Sequence, residues 1–279
     1  MDSIRQAVER ARAAKSPPRP QVSENLGRSS PPRRIATAAE APIAPGPQPD
    51  ETVISAAHLQ SCRIVAHNGA DQRSRPYDML RTQVLQSMGV GGWKILGVTS
   101  PTPGCGKTLT AINLGFSIAR QSDESVVLVD LDLQKPQIAK SLGLTLPPEG
   151  GVLDLLEERT VLQRAAVPVR AGKQRLVVFP TDATKVSSEL MGSRTMRNLL
   201  QDLRKAYPSQ VIILDLPPML SSDDVIAVLP HIDCVLLVAA VGHSKVSEVE
   251  ECNRHLQSTH LVRLVVNKTT EINSNYYYY

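Results

Sequence analysis

From residue 95 onward, aliphatic runs recur at Ile95–Val98, Val126–Val129, Leu176–Phe179, Val211–Leu214, Val235–Val241 and Leu264–Val266. Stretches with apolar residues at helical spacing accompany them: Arg75–Met88, where Met79, Leu80, Val84 and Leu85 share a side, then Leu109–Ala119, Ser188–Ala206 and Ser244–Leu256. Strands apolar on both faces, alternating with helices, predict an α/β fold with a mostly parallel sheet and helices on both faces. In open sheets of this kind ligands bind beyond the carboxyl ends of the strands, so those ends are where chemistry is sought.

The first fifty residues follow another pattern. Residues 3–15 place Ile4, Val8 and Ala11 on one side of a short helix, with Arg5, Arg10, Arg12 and Lys15 elsewhere; this fits a weakly stable helix, or a surface for a membrane or a partner. Pro17–Pro49 holds nine prolines and no aromatic residue. Such a stretch cannot bury enough apolar surface to offset its ordering entropy and reads as a linker. The expected domains are a basic helix and linker over 1–56, a folded domain over 57–272 and a flexible tail over 273–279.

Composition narrows the function. A net charge of +4 and 3% aromatics argue against nucleic acid, since no aromatic lies in a basic cluster where bases would stack. Cys62, Cys105, Cys234 and Cys252 form no closely spaced pair, which suits a reduced cytosolic chain. No apolar run approaches the roughly 20 residues of a membrane span, and no signal-peptide core is present. The expectation is a soluble, cytoplasmic protein whose membrane association comes through a partner.

Between the run at 95–98 and the helix after it lies Thr99-Ser100-Pro101-Thr102-Pro103-Gly104-Cys105-Gly106-Lys107-Thr108. Strand, glycine-bearing loop and helix together make a phosphate-binding loop, and the fold is expected to be P-loop NTPase-like. Gly104 and Gly106 let backbone amides approach a polyphosphate as an anion nest, and the helix adds its positive end. Lys107 would reach the β/γ-phosphates of a nucleoside triphosphate, and the Thr108 hydroxyl would take a Mg²⁺ position. Expected nucleotide contacts are Pro103, Gly104, Cys105, Gly106, Lys107, Thr108 and Leu109. Pro101 stands where such loops usually begin with Gly.

Two later strand ends carry acids: Val126–Val129 runs into Asp130-Leu131-Asp132, and Val211–Leu214 into Asp215-Leu216-Pro217-Pro218. Each acid alone also fits a helix cap after a strand. Three of them on the same sheet edge as Lys107 and Thr108 favour a Mg²⁺–nucleotide site, with Thr108, Asp132 and Asp215 as the metal group. The chain stops at Tyr276, Tyr277, Tyr278 and Tyr279, a run no core needs at a fraying end, and these hydroxyls read as phosphate acceptors.

Loop, Asp-x-Asp strand end, Asp-x-Pro strand end and terminal tyrosines together resemble the bacterial tyrosine autokinases, more narrowly the CpsD/CapB-type kinase partners of exopolysaccharide export and chain-length control. The resemblance covers about residues 74–279. It implies Walker A at Ser100–Thr108, Walker A′ at Leu128–Asp132 and Walker B at Ile212–Pro217. Residues 151–156, 188–191 and 265–268 also match family segments, the last placing Asn267 near an adenine. The chain departs from the family in three ways: Gln134 stands for an Arg after the A′ motif, Cys105 for a Glu, leaving a thiol that makes redox sensitivity an expectation, and the oligomerisation helix keeps only its last position. Arg75, Asp78 and Arg81 stand for the oligomerisation helix E-x-x-R-x-x-R.

What the resemblance implies is transfer of the ATP γ-phosphoryl group to tyrosine, with Lys107 and Mg²⁺ neutralising charge, Asp132 in the catalytic group and Asp130 as the base. The tail would enter a neighbour's site or its own. A membrane-embedded polysaccharide co-polymerase or chain-length determinant is the implied activator, and homo-oligomerisation is left open. Two other readings compete. One is a ParA/MinD-like ATPase switch, although Thr102 stands where those proteins carry a second loop lysine. The other is a nucleotide-gated adaptor of the export complex that acts by binding alone.

Overall fold

The computed structural model describes residues 51–121, 126–146, 150–184 and 187–269. The basic segment at 3–15, the proline-rich stretch and the terminal tyrosines lie outside the described residues. Among the described residues the strands are β1 (Thr52–Val53), β2 (Ile95–Thr99), β3 (Val126–Asp130), β4 (Val167–Ala171), β5 (Gln174–Phe179), β6 (Ile212–Asp215), β7 (Cys234–Ala240) and β8 (His260–Asn267). The helices are α1 (Ala56–Ser61), α2 (Arg75–Gly91), α3 (Lys107–Gln121), α4 (Ile138–Leu142), α5 (Val152–Leu156), α6 (Leu162–Ala165), α7 (Ser187–Met191), α8 (Arg194–Ala206), α9 (Asp224–Val228) and α10 (Val246–His255).

The strands form one sheet in the order β1-β4-β5-β3-β6-β2-β7-β8, parallel throughout except where β4 meets β5. Every residue of β2, β3, β6 and β7 is buried, which is why these strands read as unbroken aliphatic runs rather than alternating ones. Successive side chains serve two cores. Leu96, Val98 and Leu128 pack with Val84 and Met88 of α2 and Ile112 and Phe116 of α3 on one face. Ile95, Val127, Val129 and Leu214 pack with Leu199, Leu200 and Leu203 of α8 and Cys252 of α10 on the other. The expected α/β class, a mostly parallel sheet with helices on both faces, is the one observed.

Differences from the sequence expectation are local. The helix expected over Ser188–Ala206 is two helices, because Ser193 leaves the helical path and its Oγ accepts from the Met196 amide at 3.1 Å as the cap of α8. β4 is half-buried and lacks a strong aliphatic run; a two-residue turn with Gly172 at φ 62° folds it antiparallel onto β5. Thr52 and Val53, inside the expected linker, pair with Val169 and Arg170 at the sheet edge. No helix among the described residues is long and apolar enough to cross a membrane.

Helix α2 carries the positions compared with E-x-x-R-x-x-R, and two of them turn onto their own chain. Asp78 Oδ1 accepts from Ser117 Oγ of α3 at 2.6 Å and from Arg81 Nη1 at 3.3 Å, and it pairs with Arg120. Arg81 Nη1 also donates to the Ser117 carbonyl at 3.0 Å, and Arg120 Nη1 to the Ala66 carbonyl at 2.9 Å. One carboxylate thus ties α2 to α3. Replacing Asp78 with Ala leaves two half-buried guanidinium groups without their acceptor and is expected to lower stability by about 1–3 kcal/mol in urea unfolding.

Candidate active site

The loop after β2 is held from below by the neighbouring strand exit. Thr99 Oγ1 donates to the Pro217 carbonyl at 2.6 Å, the Met219 amide to the Ser100 carbonyl at 2.8 Å, and the Leu220 amide to the Pro101 carbonyl at 3.1 Å. Gly104 and Gly106 sit at φ 83° and 93°, the left-handed region that glycine enters at no steric cost. Gly106 is required a second time, by close approach: a Cβ there would lie 2.3 Å from Asn267 Nδ2. The loop ends as α3 begins, so Lys107 and Thr108 occupy the first positions of a helix whose free amides and dipole favour an anion.

Sheet register brings the acids to these residues. Asp130 and Asp215 are direct partners across β3 and β6, and Val98, just before the loop, also pairs with Asp215. Lys107 Nζ lies 2.8 Å from Asp132 Oδ2 and 3.3 Å from Asp215 Oδ1. Thr108 Oγ1 donates to Asp215 Oδ2 at 2.6 Å. Lys107, Thr108, Asp132 and Asp215 thus meet at one point, as the spacing predicts.

Burial sets the electrostatics. Burial pulls the Lys107 ammonium down, but the Asp215 and then Asp132 charges more than offset it, so its pKa rises and the group stays charged. Asp215 is fully buried; desolvation raises its carboxyl, with Lys107 and Thr108 pulling the other way. Asp130 is pushed up to about 8, first by desolvation and then by the Asp215 charge. One ammonium facing two carboxylates, Asp132 and Asp215, leaves an excess of oxygen ligands beside an anion nest. That donor set, carboxylates and a hydroxyl, suits a hard divalent cation shared with phosphate oxygens. No cluster of three or more acidic, His or Cys side chains able to hold a metal occurs among the described residues, so phosphate and water oxygens would have to complete a magnesium shell.

Asp130, expected as the base, is not placed for that role. Its side chain is 0% exposed, and Oδ2 accepts from the Gln137 amide at 3.0 Å and the Ile138 amide at 2.9 Å. It caps the start of α4, the alternative that any single strand-end acid left open. Asp132, at 5% exposed, is the more accessible of the two acids after β3. Asn267, expected near an adenine, turns its Nδ2 to the Cys105 carbonyl at 2.9 Å and accepts at Oδ1 from the Lys268 amide at 2.8 Å. Cys105 is buried, with Sγ 3.2 Å from the Thr102 carbonyl and 3.3 Å from Ser244 Oγ. Pro103 and Leu109 flank the same turn, and Tyr276–Tyr279 are outside the described residues.

Sequence reasoning missed His243 and Ser244, which follow β7. His243 Nε2 lies 2.5 Å from the Pro103 carbonyl. Their only sequence signal is position, just beyond the carboxyl end of a strand beside β2. It also missed Asp224, a buried acid that accepts from Ser188 Oγ at 2.5 Å and from Gln134 Nε2 at 3.2 Å, joining two of the segments singled out by resemblance.

A profile of the AAA domain matches residues 93–269, well over half of the chain. The chain belongs to the AAA domain family. It is similar to a putative tyrosine-protein kinase EpsB of Ralstonia nicotianae, at 30% identity over 204 residues, covering 72% of this chain and 26% of that protein. It is also similar to tyrosine-protein kinase YwqD of Bacillus subtilis, at 27% identity over 209 residues, 74% of this chain and 86% of the relative. Among solved structures, the kinase domain of the Escherichia coli tyrosine kinase ETK superposes with a TM-score of 0.66 at 26% identity, covering 76% of this AAA domain chain and 82% of that one. The chain spans about a quarter of the length of EpsB.

The raised carboxyl of Asp130 has a measurable consequence. Because the folded state binds its proton more tightly than the unfolded state does, stability is lost as pH rises from about 4 towards about 8. In urea unfolding without magnesium or nucleotide, the wild type should lose more stability than Asp130→Asn between about pH 5 and about pH 8. The difference should be at least about 1.4 kcal/mol, the equivalent of one pKa unit.

Proposed function

We propose that this AAA domain is an ATP-dependent protein-tyrosine kinase that phosphorylates Tyr276, Tyr277, Tyr278 and Tyr279 at its own end. It would act at the cytoplasmic side of a membrane beside a polysaccharide co-polymerase and regulate exopolysaccharide polymerisation and export. The observation that carries the catalytic part is the convergence of Lys107, Thr108, Asp132 and Asp215 at the mouth of a glycine-bearing loop. The tyrosine-kinase relatives support the choice of acceptor.

In this reading the amides of residues 104–108 and the start of α3 bind the β- and γ-phosphates of ATP. Lys107 exchanges its carboxylate partners for phosphate oxygens and neutralises charge that spreads over the transferred group. Asp215 and Thr108 would hold Mg²⁺ directly or through water, with Asp132 reaching it only through water, and the ion would supply further charge neutralisation. Asp132, released from Lys107, takes the phenol proton as the γ-phosphoryl group passes to the tyrosine oxygen and ADP leaves. Asp130 stays in place as the support of the A′ turn. Four phosphotyrosines would add roughly −6 to −8 charges, enough to repel the tail from a nucleotide-filled site and loosen assembly through it.

Incubation of the purified chain with γ-labelled ATP and magnesium tests the proposal. Label is expected in the full chain and absent from Lys107→Met and from a chain lacking residues 276–279. ATP hydrolysis without protein label would replace the kinase with an ATPase switch, and nucleotide binding without either would leave an adaptor. Gly106→Ala, which forces a Cβ against Asn267 at a left-handed position, should weaken ATP binding at least about tenfold in calorimetry.

A further inference from the structure

We infer that His243 and Asn267 are positioning residues that aim the amides of the phosphate loop, an inference that rests on the nucleotide reading above and assigns both side chains a role away from the base. Each grips a backbone carbonyl on the loop: His243 Nε2 is 2.5 Å from Pro103 O, and Asn267 Nδ2 is 2.9 Å from Cys105 O. A carbonyl oxygen only accepts, so the imidazole donates through an Nε2–H. The loop peptides are trans and planar, so a C=O drawn to one side sends the next N–H to the other. Holding Pro103 O outward therefore turns the Gly104 N–H inward, and holding Cys105 O outward does the same for the Gly106 N–H.

The two gripped carbonyls lie two residues apart, and each precedes a glycine with positive φ, at 83° and 93°. Alternate peptides are thus held so that the Gly104 and Gly106 N–H groups both turn toward one anion. The glycines also make room for the grips. A Cβ on Gly104 would come within 3.3 Å of His243 Nε2, and one on Gly106 within 2.3 Å of Asn267 Nδ2. The two donors come from the adjacent carboxyl ends of one parallel strand pair: His243 follows β7, Asn267 ends β8, and the Val241 amide donates to the Asn267 carbonyl at 3.0 Å. Ser244 Oγ, next to His243, accepts from the Ala240 amide at 3.0 Å and lies 3.3 Å from Cys105 Sγ, which keeps the β7 exit against the loop.

Because Pro103 has no N–H, the first amide that the nest can offer after the proline is that of Gly104, the one that His243 aims. The loop would otherwise be free to flip that peptide, since glycine occupies either orientation with little cost. Preorganisation of the amides lowers the ordering that polyphosphate binding must supply.

Calorimetry with ATP and with inorganic tripolyphosphate, in the same magnesium buffer and on the full chain, tests the inference. His243→Ala and Asn267→Ala are each expected to weaken both ligands by the same factor, about fivefold for one lost hydrogen bond. His243→Gln, which returns an N–H donor to that reach, should recover near wild-type binding, and the thermal midpoint of His243→Ala should match the wild type because the side chain is exposed. Tripolyphosphate affinity unchanged in both alanine variants, or Gln no better than Ala at 243, overturns it. A loss at Asn267→Ala confined to ATP would give that amide to the base and remove it from the proposal. A wild type that binds neither ligand would bring down the nucleotide reading itself, which the variants alone would not.

Discussion

A buried ammonium set among buried carboxylates is the constraint on which this structure depends. Lys107 is 8% exposed, and Asp132, Asp215 and Asp130 are at 5%, 0% and 0%. Such charges are costly to desolvate and are tolerated only when paired and hydrogen-bonded. Lys107 answers two of the acids, Thr108 adds a hydroxyl to one of them, and the α4 amides satisfy the third. The arrangement holds only if β2, β3 and β6 end at the same level, so the polar cluster and the sheet register require each other.

The sheet supplies that level. β2 lies between β6 and β7, so the loop leaving it is braced on one side by the residues after β6 and on the other by the residues after β7. Both faces of the central strands are packed, one by α2 and α3 and the other by α8 and α10, which keeps the strand ends from shifting relative to one another. Helix α2 belongs to this bracing. Asp78 and Arg81 lock α2 onto α3, the helix that begins with Lys107.

Much of this was legible from composition of segments. The aliphatic runs foretold β2, β3, β6 and β7 because strands covered on both faces must be apolar at every position, and Gly104, Gly106, Lys107 and Thr108 foretold the loop because few other chemistries need that spacing. Less regular elements escaped. β4 is half-exposed and carries little aliphatic signal, and Ser193 interrupts a stretch whose apolar spacing runs on through the break. Asp130 and Asp132 look alike in sequence, yet one caps α4 and the other faces Lys107. Which acid does which depends on how the chain turns after β3, and a turn is decided by what it packs against.

By itself the sequence determined the kind of fold, the glycine-bearing loop and the set of acids beside it, because strand burial, glycine spacing and side-chain charge are local properties written residue by residue. Only the tertiary structure decided that Asp130 is a support, that His243 from another strand end reaches the loop, and that Asn267 grips a carbonyl. The last two roles arise from contacts between residues more than a hundred positions apart, and the first from how the chain turns after β3 to bring the Gln137 and Ile138 amides onto Asp130.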